Sequence, residues 1–228
     1  PWEKFSEVSG AIGSAEMMFL ARHGYAHTLP PHEVNYRANI WALHKAGATR
    51  IVAVNAVGGI AANMGPGALA LPDQIIDYTH SRKQTFFEGE EPVTHVDFTF
   101  PFCARARALV LAASAATGQQ VHDGGVLGVM QGPRLETRAE IMRLARDGCT
   151  MVGMTSMPEA TLAREKKLSY ATLALSMNHA AGLASSSEGI KLADADAVLA
   201  SGMEKVRQII ARAVSMHAAL PENEKGLA

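Results

Sequence analysis

Cysteine is nearly absent from this chain: there are two among 228 residues, Cys103 and Cys149. They stand far apart and in no metal-type spacing, which argues against a disulfide framework and a zinc site and points to a reducing compartment. Neither has the Cys–His company a nucleophile needs, so both are expected to be buried. An excess of charge is missing too, since 21 Lys+Arg and 22 Asp+Glu leave a formal charge of −1. Proteins that bind duplex nucleic acid or anionic membrane surfaces usually carry a basic excess, so neither partner is expected. No run of 18 apolar residues occurs, so no membrane-spanning helix is expected and the chain is assigned to the cytoplasm. Low-complexity tracts are absent, and with 48% hydrophobic residues disorder is excluded. The GxGxxG fingerprint, the Lys-Ser/Thr of a P-loop and the Gly-x-Ser-x-Gly elbow are all lacking. An initial methionine and a signal-peptide pattern are lacking as well, and the opening Pro1-Trp2-Glu3-Lys4-Phe5 reads like the middle of something.

What is present is an alternation of short apolar runs with longer amphipathic stretches. Strands are expected at Met17 to Ala21, Ile51 to Val54, Asp73 to Tyr78, Gly125 to Met130, Met151 to Met154 and Tyr170 to Ser176. Helices are expected from Pro30-Pro31 to Gly47, over Cys103 to Thr117, Thr137 to Arg146, Pro158 to Lys167 and Asp194 to His217. The polar stretch from Thr79 to about Thr99 is long enough for a loop to suggest function. Strands separated by helices imply an α/β fold with a mainly parallel sheet covered on both faces. No repeat or composition break divides residues 1–228, which read as a single domain.

Open α/β sheets bind ligands beyond the carboxyl ends of their strands. Five such ends carry notable residues: Arg22-His23, Asn55 to Gly59, Gln131 to Glu136, Met154-Thr155 and Asn178-His179. Cation, imidazole, exposed N–H groups and hydroxyl suit an anion such as phosphate, while carboxylate and amide suit the edge of a heterocyclic base. Each also has a plainer reading. Arg22 can pair with a surface carboxylate, His23 can be structural, and Gly58-Gly59 can mark a turn. Thr155 can cap the helix before Pro158, Glu136 can pair with Arg134 or Arg138, and Asn178 can sit in a turn. The eleven methionines read as core filler, and Ala163 to Lys167 as a solvated helix end. Shared location, not any single residue, carries the site.

The runs Leu20 to Gly24, His27-Thr28, Pro31 to Leu43, Leu71 to Gln74, Phe100 to Cys103, Gly132 to Arg134, Thr137 to Glu140, and Gly153 to Thr155 with Pro158 to Ala160 are recognisable. In colinear order from about residue 16 to 215 they resemble the methylthioadenosine phosphorylase branch of the trimeric purine nucleoside phosphorylases. The resemblance implies a three-layer α/β/α nucleoside phosphorylase fold with a mainly parallel mixed sheet. It further implies a homotrimer, and phosphorolysis of a purine nucleoside without metal or organic cofactor, phosphate being a co-substrate. It assigns phosphate to Arg22, His23, Asn55, Ala56 and Thr155. Relatives commonly have Thr or Ser at Asn55, so an amide N–H would replace that hydroxyl. Met154 would lie against the ribose, and Leu135 where relatives often place an aromatic ring over the base. His27, and His95 from a neighbouring subunit, would border the 5′ end. Asn178, followed by His179, would act on purine N7 as the catalytic contact. The family also begins with a strand and a Gly-rich phosphate turn, which this chain is expected to lack.

One departure bears on the substrate. Adenine-selective relatives carry aspartates at the positions of Asn178 and Ala180 and a small residue at Glu136. An amide offers NH₂ to a carbonyl O6 and oxygen to a protonated N7. A carboxylate at Glu136 accepts N1–H of a 6-oxopurine but would face the bare N1 lone pair of adenine. Leu192, Val198 and Leu199 offer an apolar 5′ pocket suited to a methylthio group. The expected substrate is therefore S-methyl-5′-thioinosine, with Glu136, Asn178, Ala180 and Leu192 setting specificity. Alternatives are methylthioadenosine or inosine and guanosine phosphorolysis, a hydrolytic nucleosidase, and a catalytically silent nucleoside-binding relative.

Overall fold

The computed structural model describes residues 7–12, 15–89, 92–191, 193 and 195–221, with side chains from Met17 onward. Its first two strands, β1 (Glu7–Ile12) and β2 (Ala15–Leu20), pair antiparallel as a ribbon separate from the main sheet. The main sheet contains β3 (Arg50–Gly59), β4 (Leu69–Leu71), β5 (Gln74–Asp77), β6 (His122–Asp123), β7 (Val126–Val129), β8 (Met151–Gly153) and β9 (Ser169–His179). Its order is β5-β7-β8-β3-β9-β4-β6. β8 meets β3 antiparallel, as β9 meets β4, and the remaining four neighbour pairs are parallel. The sheet is thus mixed and mainly parallel, as expected.

The five helices are α1 (Tyr36–Lys45), α2 (Ala104–Ala116), α3 (Arg138–Arg146), α4 (Ser156–Glu165) and α5 (Ala195–Ala218). Period-two alternation along the central strands sends side chains to both faces. Ala53, Val57, Tyr170 and Ala174 pack with Ile40 of α1 and Ala160 and Leu162 of α4. Their neighbours Ala171, Leu173 and Leu175 pack instead with Val110 of α2 and Val206 and Ile209 of α5. Both faces are covered, which gives three layers. Each fully buried leucine in these layers contributes about 1.5–3 kcal/mol. Gly202 lets α5 approach, because a Cβ there would lie 2.5 Å from Leu175 Cδ1. Among the described residues no helix is long and apolar enough to cross a membrane.

Local chemistry fixes the helix ends. Asn35 caps α1 by accepting the Ala38 N–H at 3.0 Å, so α1 begins several residues later than Pro30-Pro31 suggests. Thr137 and Glu140 form a reciprocal capping box at the start of α3. Met157 precedes a proline and is extended (φ −117, ψ 134), interrupting the first turn of α4.

β1, β4 and β6 were not anticipated, and Arg22-His23 emerges from the β2 ribbon rather than from a main-sheet strand. β3 runs through Gly59, so Asn55 and Ala56 lie within the strand, not beyond it. Gly59 is a packing requirement, because a Cβ there would meet Met64 O at 1.6 Å. Cys149 is buried as expected, but Cys103 is only half-buried.

Candidate active site

The carboxyl end of β2 delivers Arg22 onto α4. Arg22 makes a two-point ion pair with Glu159, Nε to Oε2 at 2.7 Å and Nη2 to Oε1 at 3.0 Å. Tyr170, at the start of β9, donates its hydroxyl to the same Oε1 at 2.9 Å. Burial opposes the guanidinium charge, but Glu159 outweighs it and holds Arg22 above its ordinary pKa. Burial also pushes the Tyr170 phenol up, with Glu159 adding to the effect, so it remains a donor. Arg22 Nη1 is left with one long bond, 3.4 Å, to Thr155 Oγ1. An acceptor seated beside this long pair can bind both groups better than they bind each other.

Thr155 is the N-cap residue just before α4 but makes no side-chain capping bond. Its hydroxyl is turned toward Arg22, not toward the helix backbone. Next to it, Ser156 Oγ accepts from Asn55 Nδ2 at 2.5 Å. That amide is 4% exposed, and its Oδ1 is buried without a partner among the described residues. The structure therefore aims the Asn55 N–H at Ser156. Ala56, one residue on, is exposed although its strand is central in the sheet.

His23 and His27 stack with ring centroids 4.6 Å apart. His23 Nδ1 lies 2.7 Å from Leu29 O, and a carbonyl can only accept, so Nδ1 carries the proton and Nε2 has no partner among the described residues. Burial lowers the His23 pKa, against the pull of the Leu29 carbonyl, and favours the neutral ring. His27 is exposed and holds a positive φ of 51°.

The groups assigned to the base are arranged differently. Arg134 forks onto Glu140 at 2.8 and 2.7 Å, and Glu140 also accepts the Thr137 N–H at 2.7 Å. The pair with Arg134 leads in holding the Glu140 carboxyl down to about 2. Glu140, not Glu136, thus engages Arg134. Glu136 forms no ion pair among the described residues, and burial raises its pKa. Asn178 sits beside Gly58 across a bulge in the β3–β9 register. It lies in β9 rather than a turn, and Nδ2 donates to His179 O at 2.6 Å. His179 Nδ1 is 2.8 Å from Ser185 Oγ. Met154 covers Gly132, where an added Cβ would meet its sulfur at 2.5 Å.

Some expected residues do not join this group. Ala180 is 1% exposed, in an apolar cluster with Val152, Ile141 and Leu144. Leu135 is 42% exposed. His95 is exposed in the 92–100 stretch, and Leu192 lies outside the described residues.

Sequence reasoning also missed three buried residues. Glu159 holds Arg22 and Tyr170 holds Glu159, and the one cue was a carboxylate in the first turn of α4. Arg82, from the long polar stretch, is 8% exposed and donates to the carbonyls of Gln131, Met154 and Met157. Nor is the end of α4 merely solvated. Glu165 accepts from Thr85 Oγ1 at 2.6 Å and Phe86 N at 2.8 Å, and so docks that same stretch.

Residues 3–215 match the family model described as the phosphorylase superfamily. A probable S-methyl-5′-thioinosine phosphorylase of Pseudomonas syringae pv. tomato is 54% identical over 207 residues, covering 90% of this chain and 83% of that protein. A 6-oxopurine nucleoside phosphorylase of Pyrococcus furiosus is 46% identical over 189 residues, covering 80% and 71%. A solved methylthioadenosine phosphorylase from Schistosoma mansoni, in complex with adenine, superposes with TM-score 0.88 at 32% identity over 96% of this chain and 82% of that one.

Proposed function

The chain belongs to the phosphorylase superfamily, and from that premise we propose that it is a purine nucleoside phosphorylase (a pentosyltransferase) of the 6-oxopurine type. Its substrate is S-methyl-5′-thioinosine, and its products are hypoxanthine and 5-methylthioribose 1-phosphate, a purine salvage step in the cytoplasm. The observation that carries this reading is the part-buried carboxyl of Glu136, which has no ion pair among the described residues and takes a bond only from its own backbone N–H, together with the Asn178 amide, whose oxygen accepts no bond from the described residues.

Phosphate binds between Arg22 and Thr155, with His23, Asn55 and Ala56 around it, while Met154 faces the sugar. A phosphate oxygen bonds to C1′ as the C1′–N9 bond breaks, and the bonding pair leaves with the purine. Positive charge builds on the sugar, and an anion fixed beneath C1′ stabilises it. The proton that hydrogen phosphate gives up on bonding to C1′ passes through solvent to N7 and neutralises the leaving base, and Asn178 Oδ1 accepts that N7–H. Glu136 accepts N1–H of hypoxanthine. With adenine it would be buried against a lone pair, a loss of about 1–3 kcal/mol or more. Phosphate is the co-substrate, and no metal or organic cofactor takes part. His95 reaches the 5′ end from a neighbouring subunit of a homotrimer.

A second reading, inosine and guanosine as the main substrates, is favoured by the similarity to the 6-oxopurine phosphorylase of Pyrococcus furiosus. Phosphorus NMR of the reaction tests phosphorolysis itself. Phosphate should be consumed as sugar 1-phosphate appears, in step with hypoxanthine. Hypoxanthine release without phosphate consumption would mean hydrolysis instead, and binding without release a silent relative.

A further inference from the structure

Arg82 is a buried cation that has no ion pair among the described residues. Its five N–H donors all find oxygen. Nη1 donates to Met154 O at 2.8 Å, Met157 O at 2.6 Å and Tyr36 Oη at 3.3 Å. Nη2 donates to Gln131 O at 2.8 Å and Met130 O at 3.3 Å, and Nε to Gln131 Oε1 at 3.1 Å. Burying a guanidinium against neutral acceptors, with no carboxylate partner, is unfavourable compared with an apolar filler. Its planar fork, however, fixes the spacing of its acceptors in a way that no other side chain reproduces.

Apart from the Tyr36 hydroxyl of α1, those acceptors belong to two segments. Met130 and Gln131 open the loop that carries Glu136, and Met154 and Met157 flank Thr155. We propose that Arg82 is a positioning residue that holds the base-reading loop at a fixed distance from the segment facing sugar and phosphate. The inference rests on the phosphorolysis reading above for its catalytic consequence. Bond cleavage needs the purine and the phosphate on opposite sides of C1′ at a set separation, and a shift of about 1 Å between them can lower the rate about 100-fold.

The test compares Arg82→Lys and Arg82→Ala with the wild type in three readouts: kcat and KM with S-methyl-5′-thioinosine and phosphate, hypoxanthine affinity by calorimetry, and Tm. Arg82→Lys keeps the charge but loses the fork. It should lower kcat about 100-fold and weaken hypoxanthine binding about tenfold. Free guanidinium should restore part of the kcat of Arg82→Ala, and the loss of kcat in Arg82→Lys should exceed what its change in Tm accounts for, as a merely structural role would not allow. If Arg82→Ala does not fold, Arg82→Lys decides the matter. A folded Arg82→Lys with wild-type kcat and hypoxanthine affinity overturns the clamp and leaves phosphorolysis standing. A wild type that binds hypoxanthine without turnover, alongside an Arg82→Lys that binds it more weakly, rejects phosphorolysis and keeps the clamp.

Discussion

The two ends of the candidate site are built on opposite plans. At the phosphate end, Arg22, Glu159 and Tyr170 satisfy one another before any ligand arrives. At the base end, Glu136 has no ion-pair partner among the described residues and the Asn178 oxygen accepts no bond from them. The difference follows from what each end must do. Phosphate is the same for every substrate, so the proposed phosphate end can be built on a paired frame, with Arg22 Nη1, the Thr155 hydroxyl and His23 Nε2 left to meet it and Asn55 Oδ1 the one buried oxygen there without a partner among the described residues. The base varies among nucleosides, and a polar group discriminates only if the wrong base leaves it unpaired.

The comparison is most severely challenged at Glu159. Removing one partner of a buried ion pair costs about 3–5 kcal/mol, so Glu159→Ala should lower unfolding stability by about that much in urea titrations. A loss within experimental scatter would show that the pairing is dispensable. Arg22→Ala strands Glu159 as well, so it should combine lower stability with a raised KM for phosphate and little change in the choice of base. Wild-type phosphate dependence in that variant would remove Arg22 from the phosphate end.

At the base end the expected effects are smaller and selective. Glu136→Gln replaces an acceptor with a group that can donate to adenine N1. The ratio of hypoxanthine to adenine release should fall about 10–200-fold, with stability nearly unchanged. The paired aspartates of adenine-selective relatives are a less clean probe here. Ala180 is buried against Gly58 and Val152, so Ala180→Asp would place a carboxylate in an apolar cluster and confound selectivity with folding. Asn178→Asp alone avoids that difficulty.

The smallest effect is one of pH. Burial raises Glu136 above its ordinary value of 4.5, and the 6-oxopurine contact proposed for it needs its ionised form. The acid limb of kcat/KM should therefore lie above 4.5, activity falling as the pH drops through the raised pKa, and Glu136→Gln should abolish that limb. The sign for folding is the reverse. A carboxyl raised on folding favours the native state below its unfolded pKa, and that contribution fades as the pH rises through the folded value. Glu140, held down to about 2, contributes in the other direction, its share present above 4.5 and lost toward about 2.

Strand-end chemistry made Arg22, Asn55, Thr155, Glu136 and Asn178 legible in the sequence because each follows or ends a recognisable apolar run. The long strands and all five helices were legible for the same reason. β4 and β6, three and two residues long, are too short to show any period. Arg82 was illegible because nothing local distinguishes one cation in a polar loop from a solvated one; only tertiary burial gives it meaning. Glu136 and Glu140 look alike along the chain, and the capping geometry of α3 decides which one Arg134 takes. The phosphorylase resemblance supplied roles at matching positions, but it gave no sign that Asn55 would turn its amide toward Ser156.

The central claim is that the Glu136 carboxyl and the Asn178 amide oxygen at the base end choose a 6-oxopurine. It is tested most directly by phosphate-dependent base release from S-methyl-5′-thioinosine and methylthioadenosine, compared as kcat/KM with the same enzyme. Hypoxanthine release should exceed adenine release by at least about tenfold. Adenine released at an equal or higher rate would contradict it.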